Sequence, residues 1–201
     1  VDAVSDERLS RQLEFLLEID RLKQVERQTH ITGGSRRENT AEHSWHLAMY
    51  ALVLAEWSNT DVDLFHVLAL CLVHDIVEID AGDTFAYDTT ANADKEDRER
   101  RAAERLFGLL PADQAEYFWR LWEEYEAQET SESRFANAVD RLQPAMLNHQ
   151  AGDESPWKRH GVTVPQAMKR LSPIGDGADA LWAHTQQIIR DAHERGHLRA
   201  D

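Results

Sequence analysis

The sequence predicts an all-α protein, and three observations carry that expectation. Apolar residues recur at helical spacing along nearly all of the 201 residues, and no run sustains the two-residue alternation of a half-buried strand. Residues that start and stop helices punctuate these runs: Asn39 with Glu42, Asp61 or Asp63, Ala81-Gly82 and Pro111. The length suits one domain, 1–201, with enough chain to bury a core without disulfides.

Leu9, Leu13, Leu16, Leu17 and the stretch Ile19 to Leu22 fit an amphipathic first helix that begins after Ser5 or Asp6 and fades near Val25-Arg27. His30 to Arg37, with Gly33-Gly34-Ser35 inside it, reads as a loop. Asn39 and Glu42 match the capping box of a second helix that reaches about Trp57 and carries His43 in its first turn. A third helix opens after Asp61 or Asp63 and is apolar almost all round from Leu64 to Val73. That makes it the expected central element, with His74, Asp75 and Glu78 at its C-terminal end. Ala81-Gly82-Asp83-Thr84 stops it, and a polar stretch to about Asn92 reads as irregular.

Asp94 to Leu110 is dense in alternating charge, the pattern of a solvated helix face, and Pro111 ends it. Further helices are expected at about 112–127, 131–148 and 178–196, with a shorter one near 164–171, for roughly six or seven in all. Pro144 should kink or end the helix that contains it, and Gly152 to Gly161 should form an exposed loop.

Composition narrows the functional classes. A formal net charge of -15 opposes non-specific binding to nucleic acid or to an anionic membrane, and no apolar run is long enough to cross a bilayer. The first residues carry acids where a secretory signal carries bases, so a cytoplasmic location is expected, and the lone Cys71 reads as a small buried hydrophobe. An anionic substrate remains compatible if a bound metal and a few arginines supply local positive charge.

The chemistry-bearing residues are spread along the chain but share a logic. His74-Asp75 ends a buried helix, where an imidazole and a carboxylate are costly to desolvate unless a cation compensates them. Asp140 sits in the apolar helical stretch Phe135 to Leu142 and needs a partner for the same reason. A divalent cation bound by His43, His74, Asp75 and Asp140 would have two neutral nitrogens, two charged oxygens and open positions for water and substrate. Imidazole and carboxylate suit Mn, Co, Fe, Ni, Zn or Mg and do not choose among them. Glu78 shares the face of His74, four residues on. Arg36 and Arg37, in a glycine-containing loop before a helix, and Lys95, opening the charged helix, are candidates for holding phosphate.

The order His, His-Asp, Asp resembles the HD superfamily of metal-dependent phosphohydrolases. The segments Arg37-Glu38-Asn39-Thr40-Ala41-Glu42-His43-Ser44, His74 to Asp83 and Ala138-Val139-Asp140-Arg141-Leu142 are similar to the bacterial branch containing the YfbR-type 5'-deoxynucleotidases. The resemblance covers roughly residues 8 to 150 and implies an HD-type helical bundle, with residues of about 160–197 as a C-terminal extension. It implies that His43, His74, Asp75 and Asp140 are metal ligands, that Glu78 positions or deprotonates the attacking water, and that Asp83 is a second acid near the leaving oxygen. It also implies that Arg27 holds the substrate phosphate. The next residue departs from the nucleotidase pattern, Gln28 standing where that branch has tryptophan.

The expected function is therefore hydrolysis of a small phosphomonoester, a (deoxy)nucleoside 5'-monophosphate, by metal-activated water in a homodimeric enzyme. Two other readings compete. A dinuclear HD oxygenase or phosphodiesterase would place further histidines between the His-Asp pair and the last aspartate, and the chain has none from Ile76 to Val139. A non-catalytic metal-containing module that senses nucleotides would have no use for spare acids such as Glu78 and Asp83.

Overall fold

The computed structural model describes residues 3–88 and 93–201, which are helical apart from one short hairpin. Helix α1 (Ala3–Ile19) starts earlier than a cap at Ser5 or Asp6 would place it and ends in a 3-10 turn, Asp20–Gln24. Its leucines do not form the expected buried stripe: Leu9, Leu13, Leu16 and Leu17 are all exposed. Phe15, on the opposite side of the helix, is the buried residue and meets Phe118 edge-on with ring centroids 5.3 Å apart.

One short hairpin interrupts the helices. Strands β1 (Glu26–His30) and β2 (Arg37–Asn39) pair antiparallel, so only the middle of the expected His30 to Arg37 loop is a turn. Glu26 pairs with Asn39 and His30 with Arg37, which sets five residues against three and forces an irregularity in β1. Strict alternation would send Gln28 away from its neighbours; instead Arg27, Gln28 and Thr29 all line one cavity.

Helix α2 (Thr40–Leu54) begins at the expected capping box: the Glu42 N–H donates to Asn39 Oδ1 at 3.0 Å, and the Asn39 N–H donates to Glu42 Oε2 at 3.2 Å. Helix α3 (Leu64–Val73) is capped by Asp63 and buries Val67, Leu70, Cys71 and Val73, while Phe65 and Leu72 are exposed. At His74 it gives way to a 3-10 turn, His74–Val77, and then to the short α4 (Glu78–Ala81). The single helix end expected there is thus a joint between two helix types. Gly82 stops α4 at φ +75°, a conformation that side-chain-bearing residues rarely adopt. Residues 83–88 are irregular as expected, and the rest of that predicted loop, 89–92, lies outside the described residues.

Helix α5 (Lys95–Phe107) is less solvated than its charge pattern suggests, since Ala102, Ala103, Leu106 and Phe107 are buried. It ends before Pro111, and Arg11 reaches over to donate to the carbonyls of Gly108, Leu109 and Leu110. Pro111 precedes α6 (Ala112–Ala127), which has the predicted bounds. Helix α7 (Ser131–Ala151) runs past Pro144, which does not end it; the missing N–H only deprives the Asp140 carbonyl of its intrahelical donor.

The expected exposed loop from Gly152 to Gly161 is corrected by α8 (Pro156–Arg159), whose Trp157 is 1% exposed. Helices α9 (Val164–Leu171), α10 (Ile174–Gly177) and α11 (Asp179–Glu194) follow. Helix α10 packs directly on α7, where a Cβ at Gly177 would stand 2.3 Å from the Arg134 carbonyl oxygen. The core runs through α3, α5, α6, α7 and α11 as one apolar cluster. Among the described residues no helix is long and apolar enough to cross a membrane.

Candidate metal centre and active site

Three elements bring the His-Asp residues together: α2 supplies His43, the turn after α3 supplies His74 and Asp75, and α7 supplies Asp140. One donor atom each from His43, His74 and Asp75 lies within 4.8 Å of the others. Asp140 closes the group, its Oδ1 2.9 Å from His43 Nε2 and 3.8 Å from His74 Nε2. His74 Nδ1 lies 3.0 Å from the Cys71 carbonyl, an acceptor only, so that nitrogen donates and Nε2 is left facing the acids.

His74 Nε2 is buried, has no hydrogen-bond partner and stands 3.1 Å from Asp75 Oδ1. Lone pairs of imidazole and carboxylate converging in a buried site repel one another unless positive charge lies between them, so the residues present fit a divalent cation. The electrostatics agree. Burial disfavours a charged His74, yet Asp75 and Asp140 outweigh it and push its pKa well up. Burial likewise opposes charge on Asp75, but His74 and then Arg27 hold its carboxyl below the usual range.

Arg27 stands at the centre of four carboxylates. Its Nη1 donates to Asp75 Oδ2 at 2.9 Å and lies 3.8 Å from Glu78 Oε2 and 3.7 Å from Asp83 Oδ1, while Nε is 3.8 Å from Glu38 Oε2. The Thr40 hydroxyl donates to Glu78 Oε2 at 2.8 Å. Burial, reinforced by the charge of Asp75, pushes the Glu78 carboxyl well above the ordinary range, with Arg27 opposing. Asp83 is raised for the same first reason, again against Arg27. Arg98 fastens the segment that carries Asp83 by donating to the Ala81 carbonyl and to Thr84 Oγ1.

A cavity of about 210 Å³ opens onto these groups. One stripe of α7 forms a wall, Asn137, Asp140, Arg141, Pro144, Ala145 and Asn148, at the spacing of a single helix face. Phe85, Tyr87 and Trp157 supply aromatic surface, and Arg141 is anchored by donating to Asn137 Oδ1 and to the Arg170 carbonyl, each at 2.6 Å. Lys95 also lines the cavity, its Nζ 3.3 Å from Glu99 Oε1.

Of the phosphate candidates, Arg27 and Lys95 reach the cavity and Arg36 and Arg37 do not. Arg36 makes a two-pronged contact with Glu42 at 2.6 and 2.7 Å on the surface. Arg37 precedes the buried Glu38 in β2, and strand alternation turns it the other way. Glu38, Thr40, Tyr125 and Gln143 are not among the sequence-predicted site residues, and His46, three residues after His43, reads in the sequence as a polar-face histidine. Glu38 and Thr40 lie within the motif segment that ends at His43, and Gln143 is one helical turn after Asp140, so spacing alone carried a signal for them. Tyr125 packs its ring 4.4 Å from that of His74 and had no such signal.

A family model described as HD domain matches residues 19–182. The chain is 33% identical over 133 residues to a Bos taurus protein named 5'-deoxynucleotidase HDDC2, a match covering 65% of this chain and 63% of that protein's length. The Homo sapiens protein of the same name is 30% identical over 132 residues, covering 65% and 63%. The crystal structure of a "predicted metal-dependent phosphohydrolase" from Magnetospirillum magnetotacticum MS-1 superposes with a TM-score of 0.92 at 50% identity, covering 97% of each chain. A protein from Pyrococcus horikoshii OT3 shares the fold at a TM-score of 0.64 and 19% identity, covering 91% of this chain and 99% of that one. With its metal-ligand pattern gathered at one buried point and the family model spanning most of its length, this chain belongs to the HD domain family.

Proposed function

We propose that the protein is a metal-dependent phosphohydrolase that cleaves a (deoxy)nucleoside 5'-monophosphate to the nucleoside and inorganic phosphate. The observation that carries this reading is the placement of two acids, the buried Glu78 and the partly buried Asp83, each within 3.8 Å of Arg27 Nη1, beside a group of histidines and aspartates suited to one divalent cation. The relatives named as deoxynucleotidases and the phosphohydrolase with half its residues identical support it.

His43, His74, Asp75 and Asp140 would hold the cation, which supplies charge against the phosphoryl oxygens and acidifies a water. Arg27, which lines the cavity, offers its guanidinium to these oxygens. Lys95 adds a second positive charge on the cavity wall. Glu78 takes the proton of the attacking water; with Thr40 bonded to Oε2, Oε1 is left as the basic oxygen. As the new O–P bond forms, the ester P–O bond breaks and Asp83, carrying a proton, protonates the departing oxygen. Burial pushes both carboxyls up, so the pair can retain a proton that one of them gives to the departing oxygen. Phe85, Tyr87 and Trp157 offer the base the aromatic surface that Gln28 lacks.

The test is release of inorganic phosphate from a panel of nucleoside and sugar monophosphates with Mn, Co and Mg. Turnover restricted to nucleotides supports the reading; tight nucleotide binding by metal-loaded protein without turnover replaces it with a sensing module. Arg27→Ala is expected to lower kcat/KM by about 100-fold, the loss of two charge-assisted hydrogen bonds, mostly through KM. Unchanged kinetics in that variant would remove Arg27 from the phosphate site.

The reading includes a homodimer in a cytoplasmic setting. Its support is apolar surface: the α1 leucines with Leu17 at 77% exposure, and Trp45, Leu52 and Val53 on α2. Trp45→Glu is expected to shift sedimentation from dimer to monomer. A wild-type protein that sediments as a monomer at all concentrations overturns the dimer.

A further inference from the structure

Behind His43 lies a chain of buried polar groups that can be oriented in only one way. We infer that Glu38 and Gln143 are positioning residues that dictate which nitrogen of His43 is turned to the metal, an inference that rests on the metal-site assignment proposed above. A carboxylate only accepts hydrogen bonds, and Glu38 Oε1 lies 2.7 Å from the Gln143 amide nitrogen, so the amide must turn its NH2 toward it. The second N–H of that NH2 points to His46 Nδ1 at 3.1 Å, and flipping the amide would lose both bonds. Gln143 Oε1 is thereby fixed 3.0 Å from His43 Nδ1 and, as an acceptor, requires the proton on that nitrogen. The lone pair is left on His43 Nε2, which faces Asp140 at 2.9 Å and Asp75 at 3.7 Å.

Glu38 acts in two directions. It is 2% exposed, and its other oxygen and Arg27 Nε, 3.8 Å apart, are both buried without hydrogen-bond partners. One carboxylate thus orients the metal ligand through Gln143 on one side and faces the guanidinium on the other. His46, which reads in the sequence as a polar-face histidine, is the acceptor that locks the amide.

The experiment reads Zn and Mn affinity of purified protein by competition with a chromophoric chelator, beside the melting temperature of metal-free protein. Gln143→Glu sets two carboxylates against each other and is expected to weaken metal binding by about 10–100-fold, the range for losing such an outer partner. The exchange Glu38→Gln with Gln143→Glu keeps an acceptor on the His43 Nδ1–H, lets the new amide at 38 donate to the new carboxylate at 143, and turns His46 Nδ1 from acceptor to donor. It is expected to return affinity to the wild-type level. Wild-type affinity in Gln143→Glu overturns the inference, as does an exchanged protein that binds no better than the single variant. If Gln143→Glu does not fold, the exchange decides alone: wild-type affinity supports the relay, and a tenfold loss or failure to fold overturns it. Phosphate release does not enter this readout, so failure of the proposed enzymatic activity leaves it standing.

Discussion

Replacing His74 with alanine is expected to abolish metal retention and phosphate release while leaving the helices in place. His74 presents the one buried imidazole nitrogen of the site that lacks a hydrogen-bond partner, and its other nitrogen is already committed to the Cys71 carbonyl. Losing an outer partner of a metal ligand weakens affinity by about 10–100-fold, so losing a ligand should exceed about 100-fold. The variant also strips Asp75 of its main stabilising neighbour, while Asp140 keeps its closer one, His43, at a cost of about 3 kcal/mol by analogy with broken buried pairs. A domain with a typical ~5–15 kcal/mol in reserve survives that loss. Metal content after gel filtration, circular dichroism and phosphate release measured on one preparation separate the effects. Retained metal with wild-type turnover would exclude His74 as a ligand.

Glu78→Gln should do the opposite: metal stays and turnover goes. The substitution preserves shape, and the amide oxygen can still accept from Thr40, so KM and metal affinity should move little. What disappears is a group able to take a proton, and loss of general-base help costs about 10²–10⁴ in kcat. Glu78 reaches its position because α3 changes into a 3-10 turn at His74 and α4 begins at Glu78 itself, which packs the acid against Thr40 at the start of α2. Single-turnover measurements with saturating metal give the chemical step directly. Near-wild-type turnover with metal fully bound would assign the proton transfer elsewhere.

The helices were legible where apolar spacing and start signals agreed, as in α2 with its Asn39 capping box and in α6 and α9, whose bounds match expectation. The gathering of His43, His74, Asp75 and Asp140 was legible because a buried His-Asp pair has few inexpensive explanations. The hairpin was not, because its strands are short and polar, and residues such as Arg27 and Glu38 turn toward other charges rather than toward an apolar core. The leucines of α1 misled for a related reason: periodicity finds an apolar face but does not say that this chain covers it. Trp157 was hidden in a stretch whose glycines and charges read as loop. The arginines Arg36 and Arg37 were plausible from loop position alone, and only three-dimensional pairing with Glu42 and strand alternation removed them from the cavity. Gln143 shows the same limit from the other side, since its spacing from Asp140 marks its helix face but the role of its amide is set only by its neighbours.

The cavity stripe on α7 acts as a measuring rod. Asp140 marks the His-Asp group and Asn148 the far end, and at the rise of a helix their separation is about 12 Å. Positions along this rod divide the labour of adaptation. Exchanges at Ala145 or Asn148 would retune what the distant end admits without disturbing the reacting end, whereas Gln143, on the flank, anchors the rod to His43. Under the proposed function, a change of substrate with the chemistry kept would therefore need only a few exchanges along one helix.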